Sequence, residues 1–349
     1  MRKFSIKNKS IDQDTDCYII AEIGHNHQGS LDKCLNIIEK AINSGVSAIK
    51  LQKRSNKNLF TKNFYDQSYN SENAFGKTYG EHRENLEFDK QQFLKIKTLC
   101  NEKNIDFICT AFDMESLDFL IDIKIDAIKF ASADLTNTPL LEYGASKGAP
   151  LIISTGGATK SDIDRAVLKI NKYHNNLSIL QCTALYPCEA GSLNLRTIEY
   201  YLESYRSNII GLSSHHNGIA MDLVAYVIGA RIIEKHFTLD RTMKGSDHSF
   251  SLEPHGMEKL VRDLGRAKVA LGTKDKIIFK NELRSLTKMK KKIVAKRDLE
   301  KGTILTLDDI DFKSPGDGIE PYQYEEIIGK KITKNINQDD NIVFEILDI

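Results

Sequence analysis

Short apolar runs and longer amphipathic stretches take turns along most of this chain. From Cys17 on, runs rich in Ile, Val and Phe occur at Cys17 to Gly24, Ala48 to Gln52, Asp106 to Phe112, Ala127 to Ala133, Pro150 to Thr155, Leu177 to Thr183, Asn208 to His215 and Arg231 to Thr238. Apolar runs of this length and composition predict buried strands. Between them, apolar residues recur at helical spacing over Ser30 to Gly45, Asp89 to Asn104, Thr159 to His174, Gly218 to Ala230 and finally Pro254 to Gly272. That spacing predicts helices with one buried face. Strand and helix alternate without a break, which predicts an α/β protein built as a closed parallel (β/α)₈ TIM barrel, with an open doubly wound sheet as the weaker alternative.

Two places break the rhythm. The connection Lys53 to Phe88 is far longer than its peers and has little periodicity; over a barrel mouth such a segment reads as a lid or specificity loop. After Gly272 the helical pattern gives way to a polar linker, 273–285, and then to short alternating strands around Ile293 to Ala295 and Ile304 to Leu305, with turns at Lys301-Gly302 and Pro315-Gly316. The plan is therefore a barrel domain over 1–272, the linker, and a small mainly β domain over 286–349. The basic run Lys288 to Lys292 has no interleaved aromatics and reads as a solvated face rather than a nucleic-acid patch.

Charge narrows the possible partners. Forty-nine basic and 48 acidic residues leave a net charge of +1, so no global field draws the protein to nucleic acid or anionic lipid. Any bound anion needs a local site. No apolar run reaches the length of a membrane span and residues 1–16 lack a signal-type core, which points to the cytosol. The six cysteines show no CxxC spacing and read as reduced, structural thiols.

In a parallel barrel the polar strand ends gather at one face, where such folds place their chemistry. His215 and His236 end successive strands and could share a divalent ion, since neutral imidazole is the commonest metal ligand. His25, His27, His216 and His248, on neighbouring loops, read individually as surface or supporting residues. Lys50 and Lys129 lie within apolar strands, where a lysine calls for an anion; alternation sends Lys235 to the opposite face, toward a helix carboxylate. Thr110, Ser132, Ser154 and Ser213 add hydroxyls that, with the two lysines, make a phosphate cradle. Glu22 and Asp247 could orient a hydroxyl, move a proton or only pair with a lysine.

These residues sit in stretches that resemble one family, the sialic acid synthases and their legionaminic and pseudaminic acid relatives. The resemblance is carried by Ile20-Ala-Glu-Ile-Gly-His-Asn-His-Gln-Gly-Ser30, Phe130-Ala-Ser-Ala-Asp134, Gln181-Cys-Thr-Ala-Leu-Tyr-Pro187, Gly211-Leu-Ser-Ser-His215, Glu234-Lys-His-Phe-Thr-Leu-Asp240 and Lys244-Gly-Ser-Asp-His-Ser-Phe-Ser-Leu-Glu-Pro254. The tail looks like an antifreeze-like (SAF) domain. The resemblance implies a manganese-like ion on His215 and His236, with magnesium or cobalt as substitutes, and phosphoenolpyruvate on Lys50, Thr110, Lys129, Ser132 and Ser213. It also implies a sugar facing Gln52, Tyr186 and Asp247, and Glu22 as acid/base. The family's chemistry joins phosphoenolpyruvate to the open-chain aldehyde of an N-acetylated mannose-type sugar, in a homodimer whose tail closes the partner's barrel.

Two positions depart from the pattern. Ala184 stands where some bacterial members have an Asn, and Ser314 where many have an Arg in the antifreeze-like domain. The lid stretch Gly76 to Phe88 is similar to the vertebrate-type enzymes, which take a 6-phosphorylated sugar. N-acetylmannosamine is the expected acceptor, with its 6-phosphate and 2,4-diacetamido-trideoxy sugars kept open. A metal-dependent barrel aldolase or hydrolase is the rival enzyme, and a sugar- or ice-binding protein led by the tail the non-catalytic rival.

Overall fold

The structure, a computed structural model, describes residues 2–348. It divides into two compact units, one ending at Gly272 and the other beginning at Thr273.

The first unit opens with a hairpin, β1 (Phe4–Ile6) and β2 (Lys9–Ile11). Eight parallel strands follow: β3 (Tyr18–Glu22), β4 (Ala48–Lys53), β5 (Asp106–Ala111), β6 (Ala127–Phe130), β7 (Leu151–Ser154), β8 (Leu177–Cys182), β9 (Ile209–Ser214) and β10 (Ile232–His236). Each pairs with the next, and β10 pairs with both β9 and β3, so the sheet closes into a barrel. The outer ring comprises α1 (Leu31–Asn43), the lid helices α2 (Asn56–Leu59), α3 (Lys62–Tyr65) and α4 (Tyr79–Glu84), then α5 (Lys90–Glu102), α6 (Met114–Asp122), α7 (Thr138–Ser146), α8 (Lys160–Asn171), α9 (Thr197–Ser204), α10 (Ala220–Ile228) and α11 (Pro254–Leu271).

Local sequence explains where these helices begin and what they bury. Asp89 and Gln92, and Thr159 and Asp162, form capping boxes that satisfy the first free amides of α5 and α8. On α1, Cys34, Ile37, Ile38 and Ala41 are buried, the i, i+3, i+4, i+7 stripe of a helix with one inner face. It shares one core with outward strand residues such as Ile19, Ile49, Leu51 and Phe107.

Inside the barrel the alternate residues form a second, smaller core. Ile20, Ala48, Ile108, Ala127, Ile152, Leu180, Ile209 and Ile232 pack with Tyr18 and with Phe4, Ile6 and Ile11 of the hairpin. The hairpin thus plugs the N-terminal end. Sequence patterning shows no element before Cys17, because Phe4, Ile6 and Ile11 in a polar stretch set no period. Gly211 occupies an inward position where a Cβ would lie 2.4 Å from both the Ile232 carbonyl oxygen and Leu180 Cδ2, so a larger residue would push β9 from β10.

The expected run Ala127 to Ala133 ends as a strand at Phe130, since Ser132 to Asp134 turn into a short 3₁₀ helix. The lid, Lys53 to Phe88, is held by an aromatic cluster in which Phe60, Phe64 and Tyr69 surround Tyr79 at centroid distances of 5.1, 4.5 and 5.4 Å.

In the second unit, α12 (Lys280–Met289) is exposed and runs through the stretch that patterning reads as linker and domain edge. Strand β11 (Lys292–Ala295) pairs antiparallel with β12 (Ile310–Lys313), the short α13 (Tyr324–Ile327) follows, and β13 (Lys331–Ile332) pairs with β14 (Leu347–Asp348). Ile304 makes only an isolated bridge to Lys331. Ile293, Leu299, Leu305, Ile310, Ile332 and Ile346 belong to this unit's own core. Ser314 donates to the Met289 carbonyl at 3.1 Å and accepts from Lys291 at 2.8 Å.

Candidate active site

Strand alternation aims Glu22, Lys50, Gln52, Thr110, Lys129, Ser154, Ser213 and His236 into the barrel, above the apolar layer. With Ser132, Tyr186, His215 and Asp247 from the loops beyond, they line one cavity of about 640 Å³. Every residue singled out for a site in the sequence therefore reaches the same space. Glu234, which patterning left unassigned, lies between them.

Charge is unevenly matched there. Lys50 Nζ lies 2.7 Å from Glu22 Oε2, 3.0 Å from Thr110 Oγ1 and 3.6 Å from Glu234 Oε1. Burial pulls its pKa down, but Glu22 and Glu234 outweigh burial and hold it above the ordinary lysine value. Lys129 is as deeply buried, makes no hydrogen bond among the described residues, and its nearest carboxylate oxygen, Glu234 Oε2, is 3.9 Å away. Burial here prevails and lowers its pKa. Glu234 accepts from Ser213 Oγ at 3.0 Å; burial opposes its charge, yet Lys129 and Lys50 hold its carboxyl down at about 2. Lys50 is thus paired at hydrogen-bond distance, whereas Lys129 has only the longer contact to Glu234.

Hydroxyls surround that ammonium group's cavity. Ser132 Oγ accepts the Gly156 N–H at 2.9 Å, which leaves its own proton free to donate. Ser154 Oγ is buried with no partner, a state that an incoming acceptor would relieve. Ala184 lines the cavity beside Gly156 and offers only its backbone for hydrogen bonding.

The two histidine rings stand 5.4 Å apart between centroids, with Phe250 packed on both. His215 Nδ1 lies 3.2 Å from the Thr183 carbonyl oxygen. Donation there places the proton on Nδ1 and leaves Nε2 with a free lone pair. Burial, then the neighbouring His236, lowers the His215 pKa to about 3, so the ring is neutral. His236 Nδ1 is buried without a hydrogen bond, 3.8 Å from Asp247 Oδ2. Under-bonded imidazoles fit the donor set of a divalent transition metal. Among the described residues no three His, Cys, Asp or Glu side chains converge as a ready-made metal cluster, so an ion there would take further ligands from substrate and water.

Next to His236, on the adjoining strands β3 and β4, Gln52 Nε2 donates to Glu22 Oε1 at 2.7 Å, while Gln52 Oε1 accepts from Arg54 at 2.6 Å. Tyr186 lies over the site with its ring 4.0 Å from that of His215. Arg54 and Arg83 also line the cavity; neither carries a sequence pattern that would have singled it out.

The remaining basic residues take supporting places. Lys235 points outward, donates to the His216 carbonyl at 2.8 Å and lies 3.3 Å from Asp222 of α10, the helix carboxylate that alternation anticipates. His27 is buried against Phe88 at 4.2 Å, and His248 contacts Thr238 Oγ1 at 2.7 Å. His25, His27, His216 and His248 are all at most part-exposed loop residues held by protein partners, not surface groups. All six cysteines are free.

Residues 37–276 match the NeuB family and residues 291–345 a SAF domain. The chain belongs to the NeuB family and is an enzyme of the sialic acid synthase kind. It is 36% identical over 333 residues to the N-acetylneuraminate-9-phosphate synthase of Homo sapiens, covering 95% of this chain and 93% of that one. Over 335 residues it is 33% identical to the N,N'-diacetyllegionaminic acid synthase of Legionella pneumophila, covering 94% of each. The crystal structure of N-acetylneuraminic acid synthetase from Leptospira borgpetersenii, in complex with citrate, aligns with a TM-score of 0.72 and 33% identity over 82% of this chain and 95% of that one. Among the described residues no helix is long and apolar enough to cross a membrane.

Proposed function

We propose that the enzyme condenses phosphoenolpyruvate with the open-chain aldehyde of an N-acetylated mannose-type sugar, N-acetylmannosamine or a close derivative, in the cytosol. The products are a nine-carbon N-acetylneuraminate-type acid and inorganic phosphate. The observation that carries this reading is the meeting, in one cavity, of a buried lysine that makes no hydrogen bond among the described residues and a pair of under-bonded histidines.

The chain's own residues have definite tasks in that reaction. Lys129, Lys50, Thr110, Ser132, Ser154 and Ser213 hold the phosphate and fix the enol for attack. His215 and His236 would hold a divalent cation, manganese-like, whose chemistry is polarisation of the aldehyde oxygen. Gln52, Tyr186 and Asp247 orient the sugar so that its C1 faces the methylene carbon. A carbon–carbon bond forms between the two, and the aldehyde oxygen takes up a proton. Glu22, braced by Lys50 and Gln52, moves the protons as water adds to C2 and the C2–O bond to phosphate breaks.

Replacing Lys129 with alanine tests the phosphate assignment. Loss of a charge-assisted contact, about 1.5–3 kcal/mol, raises KM for phosphoenolpyruvate by about 10- to 100-fold. A change confined to the KM for sugar would place the lysine with the other substrate.

The tail is proposed to act in a homodimer, each SAF domain covering the partner's barrel mouth and limiting water there. A barrel truncated before Leu286 should bind metal but condense poorly. Mixing it with full-length His215→Ala subunits should restore activity in the hybrid. No recovery in proven hybrids would show that the tail serves its own subunit.

A further inference from the structure

The wall of the cavity nearest the lid carries two guanidinium groups, Arg54 and Arg83. Arg54 follows strand β4 and is 8% exposed, its guanidinium stacked 3.7 Å above the Phe112 ring. Arg83 projects from lid helix α4, where Tyr79 OH accepts from its Nε at 3.0 Å and its Nη2 at 2.8 Å. His25 sits between them, with Nε2 3.0 Å from Arg54 Nη1 and Nδ1 3.3 Å from Arg83 Nη1. A neutral imidazole accepts at one nitrogen and carries a proton on the other. One of the two contacts therefore sets donor against donor.

No carboxylate lies within ion-pair distance, 4.0 Å, of either guanidinium among the described residues. Glu87 comes nearest the group: its Oε1, buried without a hydrogen-bond partner, lies 4.0 Å from His25 Nε2, and its Oε2 is bound by Lys53 Nζ at 3.1 Å and the Arg54 backbone N–H at 3.2 Å. Burial, then the like charge of Arg83, pulls the Arg54 pKa down to about 10. Two guanidinium groups side by side, partly desolvated and facing a cavity, make a site for a tetrahedral anion, which accepts from both forks.

Position says which anion. Arg54 binds Gln52, which binds Glu22, so the pair continues the sugar wall outward toward the lid. The aldehyde end of the acceptor must meet phosphoenolpyruvate among the strand residues, which leaves its far end toward the lid. We infer that Arg54 and Arg83, braced by His25, form a phosphate subsite, and that the acceptor is a hexosamine carrying a phosphomonoester on its terminal carbon. This rests on the condensation proposed above and selects the 6-phosphate of N-acetylmannosamine over the free sugar.

The test compares N-acetylmannosamine with its 6-phosphate on the full-length enzyme, by kcat/KM with phosphoenolpyruvate and by calorimetric binding. The wild type should favour the phosphorylated acceptor by about 100-fold, and Arg83→Gln should shrink that ratio by about 10- to 100-fold. Arg54→Lys, which keeps the charge but loses the fork, should shrink it less. The KM for phosphoenolpyruvate should stay within about threefold, since its phosphate belongs to Lys129. A wild-type ratio near one, an equal loss with both acceptors, or a rise in the phosphoenolpyruvate KM would each overturn the subsite. Preferential calorimetric binding of the 6-phosphate that Arg83→Gln abolishes, without any phosphate release from phosphoenolpyruvate, would uphold the subsite and sink the condensation. Equal binding of both sugars would sink the subsite whatever the reaction.

Discussion

His215→Ala and His236→Ala are each expected to lower condensation by about 1,000-fold, or about 4 kcal/mol of transition-state stabilisation, while the barrel stays folded. Among the described residues the two rings are the only imidazoles that both line the cavity and stand within 5.4 Å of each other. His215 offers a single free nitrogen, because its other one meets the Thr183 carbonyl. Removing either ring leaves one protein imidazole, too weak a hold for an ion that must also present open positions to substrate. Neither ring is part of the apolar layer below, so melting temperature should change little. Calorimetric titration with Mn²⁺ separates loss of the ion from loss of fold. Near wild-type turnover in either variant would remove the metal assignment.

Lys235→Met should destabilise the barrel by about 3–5 kcal/mol, a fall in melting temperature of about 6–20 °C. Lys235 and Asp222 are 1% and 0% exposed, so water cannot compensate a charge left alone. Lys235 also donates to the His216 carbonyl at 2.8 Å, and Ser214 donates to Asp222 at 3.0 Å. The pair therefore ties the end of β9, which carries His215, to β10, which carries His236. Metal affinity should fall along with stability. The double variant Lys235→Met/Asp222→Leu removes both charges and should recover at least half of the loss. A single variant that melts within about 1 °C of wild type would show that the buried pair contributes nothing.

Alternation along strands made much of this site readable from sequence. It separated Lys50 and Lys129, which enter the cavity, from Lys235, which turns to α10. The same rule would have found Glu234, two residues before His236 and on its face; a lone carboxylate in an apolar run gave no reason to prefer a site to a structural pair. Arg54 and Arg83 were not legible, because they meet around His25 only when the lid packs against the loop after β3, a contact with no sequence period. The plug formed by Phe4, Ile6 and Ile11 was hidden for a related reason: its apolar residues matter through what they cover at the barrel's end, not through their spacing.

The most direct measurement is phosphate release from phosphoenolpyruvate, followed with the product's mass, in the presence of Mn²⁺ and either acceptor sugar. Condensation predicts release only when a sugar is present, with one phosphate for each molecule of a product weighing the sugar plus phosphoenolpyruvate plus water minus phosphoric acid. Release without a sugar, or a carbon–carbon product formed from pyruvate with no phosphate released, would contradict it and return the site to a hydrolase or an aldolase.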